Sequence, residues 1–161
     1  MKGRNRLVAA GIVLAVTLVF LCIPAFAQEK PADDMQIVRE KIRADKKLFV
    51  SENMKLTESE AKAFWPIYDG YQADLGKLWD RSLKMIEEYA RNYETMTNET
   101  AKKLVDELVA IEAARQNLRT SYLPKLRKAL PEKKVARYYQ LENKIHAAVS
   151  YEMATKIPLV K

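Results

Sequence analysis

The chain lacks the residues that several classes of function require. Its 161 residues include one cysteine, Cys22, and one histidine, His146. One cysteine forms no disulfide framework, and no Cys-x-x-Cys-His segment is present to attach haem. There is no Glu-x-x-His pair for a helical di-iron site, no glycine-rich phosphate loop and no Gly-x-Ser-x-Gly segment. We therefore expect no enzyme activity and no cofactor.

A metal site is not expected either. Glu142 precedes His146 by one helical turn, so both side chains could face one ion. Two ligands do not complete a site, and a histidine beside an acid is the simpler interpretation. Whether the pair ever shares a metal is left open.

Residues that form turns are also scarce. The chain has four glycines and six prolines, whereas alanine, leucine, glutamate, lysine and arginine dominate. This composition favours helix, and no segment alternates between apolar and polar residues as a strand would. The sequence predicts an all-α protein.

The first 27 residues have the pattern of a secretory signal peptide. Basic residues are followed by an apolar run over 7–23 and by Ala25-Phe26-Ala27, which places small residues before a cleavage point. We expect cleavage after Ala27 and a mature chain in the periplasm. The run is at the low end for a membrane span, so an uncleaved anchor associated with the membrane is the alternative, which Pro24 disfavours.

The mature chain is basic, and the excess lies in its second half. The formal charge of +7 falls to +4 when Lys2, Arg4 and Arg6 leave. Residues 97–139 contain ten Lys or Arg and five Asp or Glu. In an exported protein this excess points to acidic protein segments, anionic lipid or cell-wall polymers rather than to nucleic acid. A solvated helix surface is the alternative.

Four helices are expected within a single helical domain, 35–161, after a flexible lead-in at 28–34. Thr57 and Glu60 match a capping box, and Thr97 is a residue type that commonly caps a helix. Pro131 is expected at the first helical position. Pro66 is expected to kink the second helix. The predicted ranges are about 33–53, 57–93, 97–130 and 131–156.

The joints between these helices are very short, so neighbouring helices should fold back antiparallel as an elongated hairpin or bundle. Long aromatic helix faces must be shielded from water, and a second copy of the chain could shield them. We therefore also expect an intertwined, cradle-like homodimer. For Trp79, Tyr89 and Tyr93, core packing and partner binding are both left open. The residues assigned to apolar helix faces include Phe49, Phe64, Tyr68, Leu104, Leu108 and Ile111.

Short motifs resemble the Spy/CpxP superfamily of periplasmic helical proteins. Leu56-Thr57-Glu58-Ser59-Glu60 is similar to the Leu-Thr-x-x-Gln motif that opens a long helix there, with glutamate at the glutamine position. Leu130-Pro131-Glu132-Lys133-Lys134 stands where a second such motif would open the last helix, with proline and lysine as departures. Ala63-Phe64-Trp65-Pro66-Ile67-Tyr68 and Tyr138-Tyr139-Gln140 look like a little-characterised branch.

The resemblance implies an ATP-independent chaperone that binds partly unfolded envelope proteins on an apolar and basic helical surface. A regulatory subunit that docks on an envelope-stress sensor protein is the alternative, and a purely structural envelope protein is a third. Zinc-responsive members use ligands that this chain lacks. The residues expected to bind a client or partner are Trp79, Tyr89, Tyr93, Arg115, Arg119, Arg127, Lys128, Lys133, Lys134 and Arg137. The structural motif residues are Leu56, Thr57, Glu60, Pro66, Thr97 and Pro131.

Overall fold

The computed structural model describes residues 44–160, which form four α-helices and no β-strand. A single 3-10 turn, Tyr93–Thr95, separates the second helix from the third. The all-α class and the four helices are confirmed. The signal peptide, the cleavage point and the lead-in lie outside the described residues. Helix α1 is described over 44–54, α2 spans Glu58–Asn92, α3 spans Asn98–Ala129 and α4 spans Glu132–Lys156.

The starts of α2 and α3 follow the cap chemistry of the sequence, whereas the start of α4 does not. The Thr57 hydroxyl accepts a hydrogen bond from the Glu60 backbone N–H at 3.3 Å, and the Glu60 carboxylate accepts from the Thr57 N–H at 2.8 Å. Thr97 caps α3 by accepting from the Thr100 N–H at 3.1 Å. Pro131 does not take the first helical position. Its ψ of 148° is extended, so it precedes the helix, which begins at Glu132.

Two prolines lie inside continuous helices, Pro66 in α2 and Pro124 in α3. Each removes one backbone donor from the helical ladder but ends neither helix. The kink expected at Pro66 remains a prediction.

Helices α2 and α3 pack antiparallel. Near the turn that joins them, the Arg81 guanidinium donates two 3.0 Å hydrogen bonds to the Glu107 carboxylate. Further from the turn, the Tyr122 hydroxyl donates to Asp74 at 2.9 Å. Gly70 permits this close approach, because a Cβ atom there would lie 3.2 Å from the Tyr122 hydroxyl oxygen. The absence of a side chain at Gly70 therefore leaves room for the Tyr122 hydroxyl beside α2.

Helix α4 runs in the same direction as α2, and α1 lies beside both. Gln72 of α2 donates to the Glu142 carboxylate of α4 at 3.0 Å, and Lys46 of α1 donates to it at 2.9 Å. Glu142 is buried, so its charge is compensated by groups from two other helices. At the far end of α4, the Tyr89 hydroxyl donates to the Pro158 carbonyl at 2.7 Å.

The core of the described chain lies at one end of the α2–α3 pair, where all four helices meet. The Tyr138 ring stands at its centre, with edge-to-face contacts to Phe64 at 5.2 Å and Tyr68 at 6.1 Å between centroids. Burial raises the pKa of the Tyr138 hydroxyl far above its ordinary value. The core positions predicted for Phe64 and Tyr68 are confirmed. The buried apolar side chains are Val50, Met54, Phe64, Tyr68, Tyr71, Ile111, Tyr122, Leu126, Leu130, Val135, Tyr138 and Leu141.

The apolar face assigned to α1 is partly wrong. Phe49 is 39 % exposed, whereas Val50 and Met54 are fully buried. The periodicity of α1 admits either side of the helix. The aromatic rings of α2 and α4 decide which side is covered, and Val50 and Met54 belong to the cluster those rings form.

The joint between α1 and α2 is held by the first turns of α4. Lys55 has a φ of 48°, in the left-handed region that favours glycine. The Lys134 ammonium donates to the Lys55 carbonyl at 3.0 Å and also pairs with Glu60, while Arg137 donates to the Asn53 carbonyl at 3.2 Å. The contact with Lys134 lowers the pKa of Glu60 below its ordinary value. Lys134 and Arg137 therefore hold the joint together.

Replacing Lys55 by glycine should stabilise the protein by about 1 kcal/mol, because glycine removes the strain of a side chain at positive φ. Urea unfolding measures the difference. Lys84→Gly, at an exposed position within α2 and two turns before its end, is the matched control and should destabilise by about 1 kcal/mol. Equal destabilisation by both variants would contradict the left-handed geometry at Lys55.

The buried Lys46–Glu142 pair generates a double-mutant prediction. Glu142→Leu alone leaves the Lys46 ammonium buried without its carboxylate, which should cost about 3 kcal/mol of unfolding free energy. The double variant Lys46→Met/Glu142→Leu removes both charges and should recover most of that loss. Chemical denaturation of the four proteins measures the coupling, and additive losses would show that the two charges do not depend on each other.

Candidate functional site

Helix α3 exposes apolar side chains near the α2–α3 turn. Leu108, predicted to be buried, is 45 % exposed, so that prediction is wrong, and Val105 and Val109 are 58 % and 61 % exposed. Periodicity identified the apolar side of α3 correctly at Ile111 and Tyr122. It could not show that the core ends before Leu108. We call Val105, Leu108 and Val109 the apolar stripe.

A groove runs between α3 and α4 near the joint that connects them. A cavity of about 290 Å³ and a second of about 160 Å³ share Leu123 and Tyr139, so we treat them as one feature, the α3–α4 groove. Val135 and Ala136 of α4 complete the apolar lining of the larger cavity. The polar residues that line the groove are Gln116, Arg119, Thr120, Arg127 and Glu132.

Two arginines bring positive charge to the groove. The Arg119 guanidinium lies 5.3 Å from the centre of the Tyr139 ring, a cation–π distance. The Arg127 Nε lies 3.0 Å from a Glu132 carboxylate oxygen, and both side chains of this pair are more than half exposed. Burial raises the pKa of Tyr139, while the charges of Arg119 and Arg127 oppose that rise. Both cations therefore influence the Tyr139 ring, and Arg119 lies directly against it.

Tyr139 also fixes the groove to α3. Its hydroxyl donates a 2.7 Å hydrogen bond to the Arg119 carbonyl, which lies within the helical turn that leads to Pro124. Arg119 lies one residue before Thr120, whose carbonyl lacks a helical donor because Pro124 carries no N–H. The Tyr139 bond is therefore an additional contact from α4, and one residue both lines the groove and joins its two walls.

The apolar stripe and the groove lie on one side of α3. Leu123 follows Val105 by 18 residues, which is five full turns at 3.6 residues per turn, so the two side chains share a direction about 27 Å apart along the axis. Arg119 and Arg127 flank Leu123 at one turn on either side. This side of α3 therefore carries exposed aliphatic residues at one end and an apolar groove edged by arginines at the other.

The aromatic residues proposed for binding lie elsewhere. Trp79 is half-buried on α2, and the Tyr89 and Tyr93 rings are 5.7 Å apart where α2 ends. Burial raises the pKa of Tyr89, whose hydroxyl is already bonded to the Pro158 carbonyl. Both interpretations of the three aromatics therefore stay open.

The predicted basic residues do not gather on one surface. Arg119 and Arg127 edge the α3–α4 groove, whereas Lys134 and Arg137 hold the α1–α2 joint. Arg115 is half-buried. Lys128 and Lys133 are exposed.

His146 lies near the same group of charges. Burial lowers its pKa, and the charges of Arg115 and Arg119 lower it further, against the opposing effect of Glu112. Across residues 44–160, no three His, Cys, Asp or Glu side chains are placed to hold a metal ion. None of the helices described there is long and apolar enough to cross a membrane.

The groove residues Leu123, Val135, Ala136 and Tyr139 were not identified as a site from the sequence. They belong to two helices, and their spacing matches ordinary core positions. Val105 and Val109 carried a weak signal, because they are apolar residues beside the main apolar line of α3.

Comparison with protein-family models, with curated proteins and with solved structures finds no match to this chain. The resemblance to the Spy/CpxP superfamily therefore rests on the short motifs and remains a prediction.

Replacing Tyr139 by phenylalanine should destabilise the protein by about 1 kcal/mol, because the Arg119 carbonyl loses its 2.7 Å donor while the ring remains. Thermal and urea unfolding measure the loss. Tyr151→Phe removes a hydroxyl from a highly exposed ring on α4 and should change stability by a few tenths of a kcal/mol at most. Equal effects at both positions would argue against a structural bond across the groove.

Proposed function

We propose that the mature chain works in the periplasm as an ATP-independent, chaperone-like protein that holds partly unfolded envelope proteins on the exposed side of α3. The observation that carries the proposal is the apolar stripe, three aliphatic side chains that remain 45–61 % exposed on one helix. Exposed apolar side chains grouped on one helix are typical of a surface that contacts another molecule. No enzymatic step is part of this proposal.

The arrangement suits release without an energy source. Exposed aliphatic side chains make weak contacts that do not depend on client sequence, and the arginines of the groove, further along the same side of α3, attract acidic segments. Weak contacts at several points break quickly, so a client leaves when it buries its own apolar surface. We include a homodimer in the proposal, because a second copy would cover part of the apolar surface that one chain leaves open.

A regulatory role is the second candidate, and the α3–α4 groove favours it. A groove with a defined apolar floor and a cation at each end fits one partner better than many. In this version the protein docks on the sensor domain of a signalling protein. Crosslinking in cells followed by mass spectrometry separates the two roles, since many clients support the chaperone and one dominant partner supports the regulator.

The chaperone proposal is tested by the aggregation of a chemically denatured client, with and without the chain lacking residues 1–27. The wild-type protein should suppress aggregation at equimolar ratio. The triple variant Val105→Gln/Leu108→Gln/Val109→Gln should lose about half of that suppression or more, because the apolar contacts are gone. Its melting temperature should stay close to that of the wild type, since the three side chains are exposed.

The matched control removes three exposed apolar side chains from other elements, as Leu48→Gln/Tyr151→Gln/Leu159→Gln. It should retain the suppression. Equal losses in the two triple variants would mean that general surface hydrophobicity is responsible. No suppression by the wild type would remove the chaperone proposal.

A further inference from the structure

Helix α3 presents a regular pattern of residues to the groove. Arg119, Leu123 and Arg127 follow one another at four-residue steps, so they form a line along the helix. The two arginines lie about 12 Å apart along the axis, with the leucine midway. The groove therefore presents positive, apolar and positive groups in that order.

The opposite wall supplies the rest of an apolar pocket. Val135, Ala136 and Tyr139 face Leu123 across the larger cavity. Tyr139 is held in place by its bond to the Arg119 carbonyl, so the pocket between it and Leu123 has a fixed wall. A large apolar side chain that enters there would be flanked by both guanidinium groups.

One acidic residue, Glu132, is among those that line the groove. Its carboxylate pairs with Arg127, but both partners are more than half exposed. Such a pair contributes about 1 kcal/mol or less, so a carboxylate from another molecule can take its place. Arg119 rests against the Tyr139 ring, and its guanidinium has hydrogen-bond donors left for an acid.

We propose that the α3–α4 groove binds a segment of another protein that carries an apolar side chain between two acidic residues. The acids reach Arg119 and Arg127, and the apolar side chain enters between Leu123 and Tyr139. A helical segment matches the 12 Å spacing when its acids are about seven or eight residues apart, and an extended segment when they are about three or four apart. Glu132 competes for Arg127 from within the chain.

This inference rests on the proposed function in one respect, since it assumes that the groove side of α3 is where other proteins bind. It goes further by naming the chemistry that the groove selects. The apolar stripe has no cation arranged around it in this way and makes no such selection.

The first test uses a fluorescently labelled helical peptide with two glutamates about seven residues apart and a leucine between them. Fluorescence anisotropy measures its affinity for the chain lacking residues 1–27. We expect binding that weakens about tenfold when both glutamates are changed to glutamine, since two exposed ion pairs are lost. Equal affinity for the two peptides would overturn the proposal.

Single variants then locate the peptide. Arg127→Gln and Arg119→Gln should each weaken binding about threefold to fivefold, while Lys144→Gln, which removes the same charge from an exposed position further along α4, should leave it unchanged. Glu132→Gln should strengthen binding about twofold, because it frees Arg127. Equal weakening by Lys144→Gln would show that general positive charge binds the peptide, contrary to the proposal.

Vesicles that contain anionic phospholipid provide the competing outcome. If they bind with the same dependence on Arg119 and Arg127 and the peptide does not bind, the occupant of the groove is a membrane surface and the proposal is wrong. Circular dichroism melts of every variant show whether a loss of binding is a loss of fold.

The aggregation assay keeps this inference separate from the proposed function. Selective peptide binding without suppression of aggregation would support the groove and remove the chaperone. The opposite combination of results would support the chaperone and contradict the selectivity of the groove. In that case Arg119→Gln/Arg127→Gln would retain the suppression of aggregation, the triple variant of the apolar stripe would lose it, and the two peptides would bind with equal affinity.

Discussion

The packing around Tyr138 is the interaction on which the rest of the described chain depends. Its ring receives Phe64 and Tyr68 from α2, and the same buried cluster includes Val50 of α1 and Leu126 of α3. Edge-to-face aromatic pairs add about 1 kcal/mol each to the free energy of burial. This cluster joins all four helices at one end of the α2–α3 pair. Beyond it, the apolar side chains of α2 and α3 are less shielded by neighbouring helices. The exposed aliphatic residues of α3 follow from that asymmetry.

Polar contacts hold this cluster in one arrangement. Glu142 accepts from α1 and α2 while belonging to α4, so one buried carboxylate joins three helices. Lys134 connects the start of α4 to the start of α2 through Glu60. These charges cost desolvation energy that apolar residues would not. Their positions join α1, α2 and α4 to one another beside the aromatic cluster.

The groove and the apolar stripe have different physical characters on the same helix. The stripe offers aliphatic area and no defined geometry, which suits contact with many sequences. The groove has an apolar floor, a tyrosine held by a hydrogen bond and two cations about 12 Å apart along the helix axis, which suits selection. Under the proposed function, the groove would attract acidic segments and the apolar stripe would hold apolar ones.

The sequence by itself determined the helices and the starts of α2 and α3. The Thr57–Glu60 capping box and the Thr97 cap are local interactions within one turn, so residue types at fixed spacing were enough to find them. The same holds for the apolar character of Phe64 and Tyr68. Tertiary structure alone decided how far along each helix the neighbouring helices shield its apolar face from solvent. This is why Leu108 is exposed although its spacing matches the core. It also decided that Leu123 and Tyr139 face each other, because that contact joins two helices whose relative placement no local pattern encodes.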